Sequence, residues 1–101
     1  MSRFRKMPDN DPNFNYIFYC QGCEFLHGID SRWQFNGNME LPTISPSYVI
    51  DGVRGGQRFN CHSFINDGKI QYLGDTTHKF ANKTIDLLPE DEWFTDKEEI
   101  E

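Results

Sequence analysis

The sequence predicts a mainly β protein: a small hairpin-built sheet with a zinc-knuckle-like turn and one short helical turn. Three observations predict it. The apolar stretches are short, rich in aromatic and β-branched residues, and alternate with polar ones. Turn signals separate them at close intervals, at Asn36-Gly37, Asp51-Gly52, Gly55-Gly56 and Asn66-Asp67-Gly68. Finally, Cys20 and Cys23 flank Gln21-Gly22, a spacing that brings two thiolates of one turn onto one metal ion.

The elements follow in chain order. Residues 1–15, with Pro8, Pro12 and several Asn and Asp, read as an irregular N-terminal arm. Tyr16 to Cys20 is a strand entering the cysteine turn, and Glu24 to Ile29 is the strand leaving it. Trp33 to Phe35 is a short strand closed by Asn36-Gly37. The segment Leu41 to Ser47 carries Pro42 and Pro46 and therefore belongs at an edge or in an ordered loop. Tyr48 to Ile50 reads as a short strand ending at Asp51-Gly52. Arg58 to Ile65 and Lys69 to Leu73 form a hairpin across Asn66-Asp67-Gly68. The helical turn is expected at about Thr76 to Ala81, with Asp75 or Thr76 as its cap, and Thr84 to Leu88 as a last strand.

A chain of 101 residues is one domain and buries a modest share of its surface, so a metal staple is a physical benefit. The compact unit is expected over 16–88, followed by an acidic tail over 89–101. That tail carries a net charge of −6, equal to that of the whole chain, and Trp93 and Phe94 interrupt it. No basic stripe marks a generic nucleic-acid surface. No apolar run approaches the roughly 20 residues of a membrane span, and no apolar core follows the N-terminal charges as in a secretory signal. A cytoplasmic location is the expectation, consistent with an odd number of cysteines in a reducing compartment.

Cys20 and Cys23 supply half of a tetrahedron. A redox use of the pair would want a helix starting at the first cysteine, whereas Glu24 to Ile29 has strand character; inert core thiols are the other alternative. The remaining ligands must come from Cys61, His62, His78 and His27. Strand alternation points Cys61 and His62 to opposite faces, and thiolate is the better partner for the pair, so Cys61 is the expected third ligand. His27, four residues beyond Cys23, is roughly 13 Å away along an extended strand. The expected site is Cys20, Cys23, Cys61 and His78, with His62 the main rival and His27 a lesser one. Four protein ligands leave no open position, which argues for a structural zinc.

Other chemistry is less marked. Ser45 and Ser47 lie in TISPS with no GxSxG and no evident activating arrangement, and Glu24 and Asp75 read as surface charges or a helix cap. Arg58, Asn60 and His62 share strand parity and, with Thr43, Ser45 and Ser47 of the proline-stiffened loop, can form a face for an anionic or nucleotide-like ligand. Ordinary solvent-facing residues on a half-exposed sheet are the plainer reading of the same positions.

The series CQGCEFLHGI, RWQFNGNMELPTISPSYVI and CHSFINDGKIQYLGDTTHKFANKTIDL resembles a family of short phage and prophage proteins that often carry an ammonia-monooxygenase label. The resemblance covers about Tyr16 to Leu87. It implies a viral or prophage context and associates His27, Cys61, His62 and His78 with Cys20 and Cys23 as one pattern. The expected function is therefore a phage-encoded zinc-binding protein acting by binding in the host cytoplasm. Counter-defence is the favoured use, by inhibiting a host immune protein or sequestering a signalling nucleotide. The alternatives are a zinc hydrolase or nuclease, with His27, His62 and His78 around an open metal, and a minor virion or assembly component.

Overall fold

The structure, a computed structural model, describes residues 2–93. Among them are three antiparallel sheets and one turn of 3-10 helix, the mainly β architecture that the alternation predicts. Strands β1 (Arg5–Lys6), β2 (Tyr16–Cys20) and β3 (Phe25–Ile29) form one sheet in that order. Strands β4 (Gln34–Phe35) and β5 (Ile44–Ser45) form a two-stranded ribbon. The largest sheet has the order β6-β7-β8-β9, from β6 (Tyr48–Arg54), β7 (Gln57–Asn66), β8 (Lys69–Tyr72) and β9 (Thr84–Asp86). No helix among the described residues is long and apolar enough to cross a membrane.

Two turns set the register of the largest sheet. Gly55 and Gly56 both have positive φ, 60° and 81°, so they form a two-residue turn whose twist matches its strands. Arg54 then pairs with Gln57, and β6 continues through Asp51-Gly52 rather than ending there. Asp67 and Gly68 repeat the device at φ 54° and 78°, and Asn66 pairs with Lys69. Thr43 anchors this second turn: its hydroxyl accepts from the Asp67 N–H at 2.8 Å and donates to the Asn66 side-chain oxygen at 3.2 Å.

Alternation fills the core from one face of each strand. Phe18 and Cys20 of β2, Ile29 of β3, Cys61 and Ile65 of β7, and Ile70 and Tyr72 of β8 are buried together. The opposite face of β6 and β7 is open: Val49 pairs with His62, Asp51 with Asn60 and Val53 with Arg58. The Tyr48 hydroxyl donates to the Gly28 carbonyl at 2.9 Å and ties this sheet to β3.

Three segments differ from the sequence expectation. The N-terminal arm contributes β1 and places Phe4 in the core, stacked on Phe18 at 5.5 Å, because an aromatic side chain gains more from burial than the arm's irregular composition costs. Residues 76–81 are not helical; the Thr76 and Thr77 hydroxyls bond to the backbone of β7 and hold the segment alongside that strand. The one helical turn lies instead at Glu90–Glu92, at the start of the acidic stretch. There Trp93 is buried, with the Arg5 guanidinium over its ring and Arg5 paired with Glu90. Phe94 and the rest of the expected tail lie outside the described residues.

Ile70, 1% exposed, stands at the centre of the core. An Ile70→Ala substitution is expected to cost about 2–5 kcal/mol in a urea unfolding curve. Val53→Ala, on the open face at 67% exposure, should stay within about 0.5 kcal/mol of the parent in the same measurement.

Candidate active site and metal centre

The cysteine turn is built by its backbone. The Cys23 N–H donates to the Cys20 sulfur at 3.3 Å, and the Glu24 N–H donates to the Cys20 carbonyl at 2.7 Å, with Glu24 in the left-handed region at φ 64°. Gly22 lies directly under the His78 ring: a Cβ at position 22 would come within 2.1 Å of it. Arg54 closes the outside of the turn, donating to the Cys23 carbonyl at 2.6 Å and lying over the Phe25 ring.

Cys20, Cys23, Cys61 and His78 converge, with one ligand atom from each all lying within 4.8 Å of one another. The Cys20 and Cys61 sulfurs are 3.9 Å apart, and the Cys61 sulfur is 3.5 Å from His78 Nε2. Tetrahedral zinc with Zn–S of about 2.3 Å and Zn–N of about 2.0–2.1 Å sets such separations near 3.8 and 3.5 Å, so these two separations match the ion. All three cysteines are free thiols and buried. Hydrogen bonds from Cys23 and then Cys61 hold the Cys20 thiol far below its ordinary range. The same contacts with Cys20 push Cys23 up to about 12 and Cys61 higher still. Zinc binds the thiolate form, so a cation held by the cluster would displace the protons of these buried thiols. Burial pushes the Tyr72 hydroxyl well above its ordinary range, and that hydroxyl lies in hydrogen-bond contact with the Cys20 sulfur at 3.1 Å.

The neighbouring residue on β7 points the other way. His62 Nε2 lies 3.1 Å from Ser47 Oγ, and His62 Nδ1 lies 3.1 and 3.2 Å from the two Asp75 carboxylate oxygens. A carboxylate can only accept, so Nδ1 carries the proton and donates to Asp75. Nε2 is then the acceptor of the neutral ring, and the Ser47 hydroxyl donates to it. A hydroxyl, an imidazole and a carboxylate are thus joined in series, the arrangement that activates serine for nucleophilic attack. Ser47 is held from behind by Trp33, whose indole N–H donates to the Ser47 carbonyl at 3.3 Å while its ring stacks on Tyr48.

His62 and Asp75 are locked through their backbones. The Thr76 hydroxyl accepts from the His62 N–H at 3.1 Å and donates to the His62 carbonyl at 3.0 Å. Thr77 bonds Asn60 in the same manner. Asp75, Thr76, Thr77 and His78 therefore run beside Asn60, Cys61 and His62 as a short ladder, with one end at the serine and the other at the thiols.

The remaining sequence candidates separate. His27 is buried among Phe18, Phe25 and Tyr48, outside the thiol cluster, and neither of its ring nitrogens has a hydrogen-bond partner among the described residues. His62 belongs to the serine rather than the metal, so His27, His62 and His78 do not converge on one ion. Arg58 stands exposed opposite Val53, Asn60 bonds to Asp75, and Thr43 anchors the β7–β8 turn. Ser45 pairs with Gln34 in the β4–β5 ribbon, beside a shallow cleft. The pairing of Ser47 and Asp75 through His62 was not legible as a motif, because the three are scattered and no nucleophile signature surrounds Ser47. The usable signal was parity: the alternation that buries Cys61 leaves His62 on the open face.

Residues 6–73, more than half of the chain, match the family described as bacterial ubiquitination-like system serine protease (BubE), and the chain belongs to that family. The matched span contains Ser47 and His62 and the three cysteines, while Asp75 and His78 follow just beyond it. No curated protein and no solved structure matches the chain.

Gly22→Ala should drive the His78 ring out of the cluster without changing a ligand. Zinc measured by mass spectrometry on the purified protein is expected to fall from one equivalent to a small fraction in Gly22→Ala and Cys61→Ser. His27→Phe should keep the full equivalent.

Proposed function

We propose that this chain is a serine hydrolase of polypeptide acyl bonds, with Ser47 as nucleophile, His62 as general base and Asp75 as the carboxylate that orients His62. The observation that carries the reading is the pair of in-series contacts at the two nitrogens of His62, 3.1 Å to Ser47 Oγ and 3.1 Å to Asp75. In the first half-reaction Ser47 Oγ attacks the carbonyl carbon and its proton passes to Nε2. The bond from the carbonyl carbon to the leaving group then breaks as the imidazolium, steadied by Asp75, gives that proton to the leaving group, and the acyl group stays esterified on Ser47 Oγ. In the second half His62 takes a proton from water as the hydroxide adds to the ester carbonyl. The bond from that carbon to Ser47 Oγ then breaks, His62 returns the proton to Ser47, and the acyl group leaves as the carboxylic acid. The family's description supports a substrate within a ubiquitination-like system. The open setting agrees with a protein substrate, since His62 and Asp75 are reached directly from the exposed face of the sheet, beside Val49 and Phe64.

In the same reading the four-ligand cluster holds a structural zinc through Cys20, Cys23, Cys61 and His78. The ion supplies cross-linking and charge neutralisation of the thiolates. The residues then fix the neighbouring chain: Cys61 adjoins His62, and His78 ends the ladder that begins at Asp75.

A binding-only role remains the other reading, and the phage resemblance is what favours it: sequestration of a nucleotide or capture of a host immune protein across Arg58, Asn60 and His62. The two differ in what Ser47 does. A phage-borne hydrolase of this kind would also serve counter-defence, by cutting a host conjugate rather than masking a host protein.

A fluorophosphonate probe is expected to label Ser47 in the zinc-loaded protein. Labelling should be abolished in Ser47→Ala, and slowed by about 10³–10⁴-fold in His62→Ala and Asp75→Asn. Peptide mapping by mass spectrometry locates the adduct. A folded, zinc-loaded protein that takes no label would leave the binding-only reading standing.

A further inference from the structure

Asp75 leans out of the fold. Its side chain is 59% exposed, against 25% for His62. A carboxylate bathed in water turns freely about its side-chain bonds, and a turning carboxylate offers the His62 N–H no fixed acceptor. Burial does not restrain it, so a directed donor must.

Building on the serine-hydrolase reading, we infer that Asn60 is the positioning residue that aims Asp75 at His62. Strand parity puts Asn60 on the His62 face of β7, opposite Asp51. Its Nδ2 lies 3.2 Å from Asp75 Oδ2 and 3.1 Å from the Asp75 carbonyl oxygen. One amide nitrogen therefore donates to the side chain and the main chain of the same residue, fixing the carboxylate relative to its own backbone. Amide chemistry suits the task. A hydroxyl has a single hydrogen to give, and a guanidinium would pair with the full charge and draw the carboxylate from the imidazole.

The main chain of Asn60 is held independently of its side chain. The Asn60 N–H donates to Thr77 Oγ1 at 3.0 Å, and the Thr77 N–H donates to the Asn60 carbonyl at 2.8 Å. Truncating the side chain thus removes the two bonds to Asp75 and leaves the ladder in place. Asn60 also borders a cleft of about 100 Å³ with Cys23, Arg54 and His78, which makes substrate contact the competing role to exclude.

The test uses the full zinc-loaded chain, a fluorophosphonate as probe, and proton NMR of the His62 Nδ1–H. Asn60→Ala is expected to lower kinact by about tenfold or more, the effect of losing one bond to a charged group, with KI unchanged. The low-field Nδ1–H signal should weaken, while zinc content and melting temperature stay at parent values. Asn60→Asp, nearly the same shape, sets a second carboxylate against Asp75 and should be slower still. A kinact within about twofold of the parent in either variant overturns the assignment. So does a raised KI with kinact kept, which would mark a substrate contact. Loss of zinc or melting stability in step with the rate would mark simple structural support and overturn it equally. Should Asn60→Ala not fold, Asn60→Asp decides by the same criteria. Failure of the hydrolase reading is separate: the parent takes no label, or Ser47→Ala is still labelled.

Discussion

Successive side chains of a β-strand point to opposite faces, and at Cys61-His62 that alternation divides the chemistry of the molecule. Cys61 turns inward to Cys20, Cys23 and His78, while His62 turns outward to Ser47 and Asp75. One peptide bond therefore joins the thiol cluster to His62, the residue that links Ser47 and Asp75. Four residues complete the link from the other side, since Asp75 reaches His62 and His78 reaches Cys61 across the same stretch of β7. The Thr76 and Thr77 hydroxyls take up the β7 backbone groups along the way, which keeps the two chemistries at a fixed separation.

A small fold has few other means of holding such a ladder. Its three sheets meet at a core of limited size, and the segments on either side of β7 are turns and short strands. The thiol cluster brings together the β2–β3 turn, the middle of β7 and the 75–78 segment, three pieces distant in sequence. Gly22 shows how closely they approach, because the His78 ring occupies the volume that any side chain at that position would need. On the opposite side of β6, Trp33 and Tyr48 perform the comparable service for Ser47, one by a hydrogen bond to its carbonyl and the other by bonding to Gly28.

Much of this was legible in the sequence, and the reasons for the rest are local. The strands and the turn at Asp67-Gly68 follow from alternation and turn chemistry, Cys20 and Cys23 from their spacing, and Cys61 from parity and ligand softness. His78, by contrast, reaches the cluster from an irregular segment and not from the expected helical turn. The expected helical turn at 76–81 gave way because the Thr-Thr pair found better partners in the β7 backbone than in a helix. Phe4 entered the core from an arm whose composition signals only loop. The serine site was hidden for a different reason. Ser47, His62 and Asp75 come from three separate elements, and a nucleophile is recognised by which groups meet it rather than by its neighbours in the chain.

The exposure of the serine site bears on how it would work. Charge interactions weaken in water, so an imidazole and carboxylate on an open sheet face are less effective than the same pair in a closed cleft. An extended polypeptide laid across β6 and β7 would cover Val49 and Phe64 and expel water from His62 and Asp75 together. Covering the site would strengthen the His62–Asp75 interaction at the moment when Ser47 is opposite a carbonyl. A small ester that reaches Ser47 without covering the face would lack that gain. Under the proposed hydrolase function, such an open face would suit a substrate that supplies part of the site's wall itself, as an extended polypeptide can.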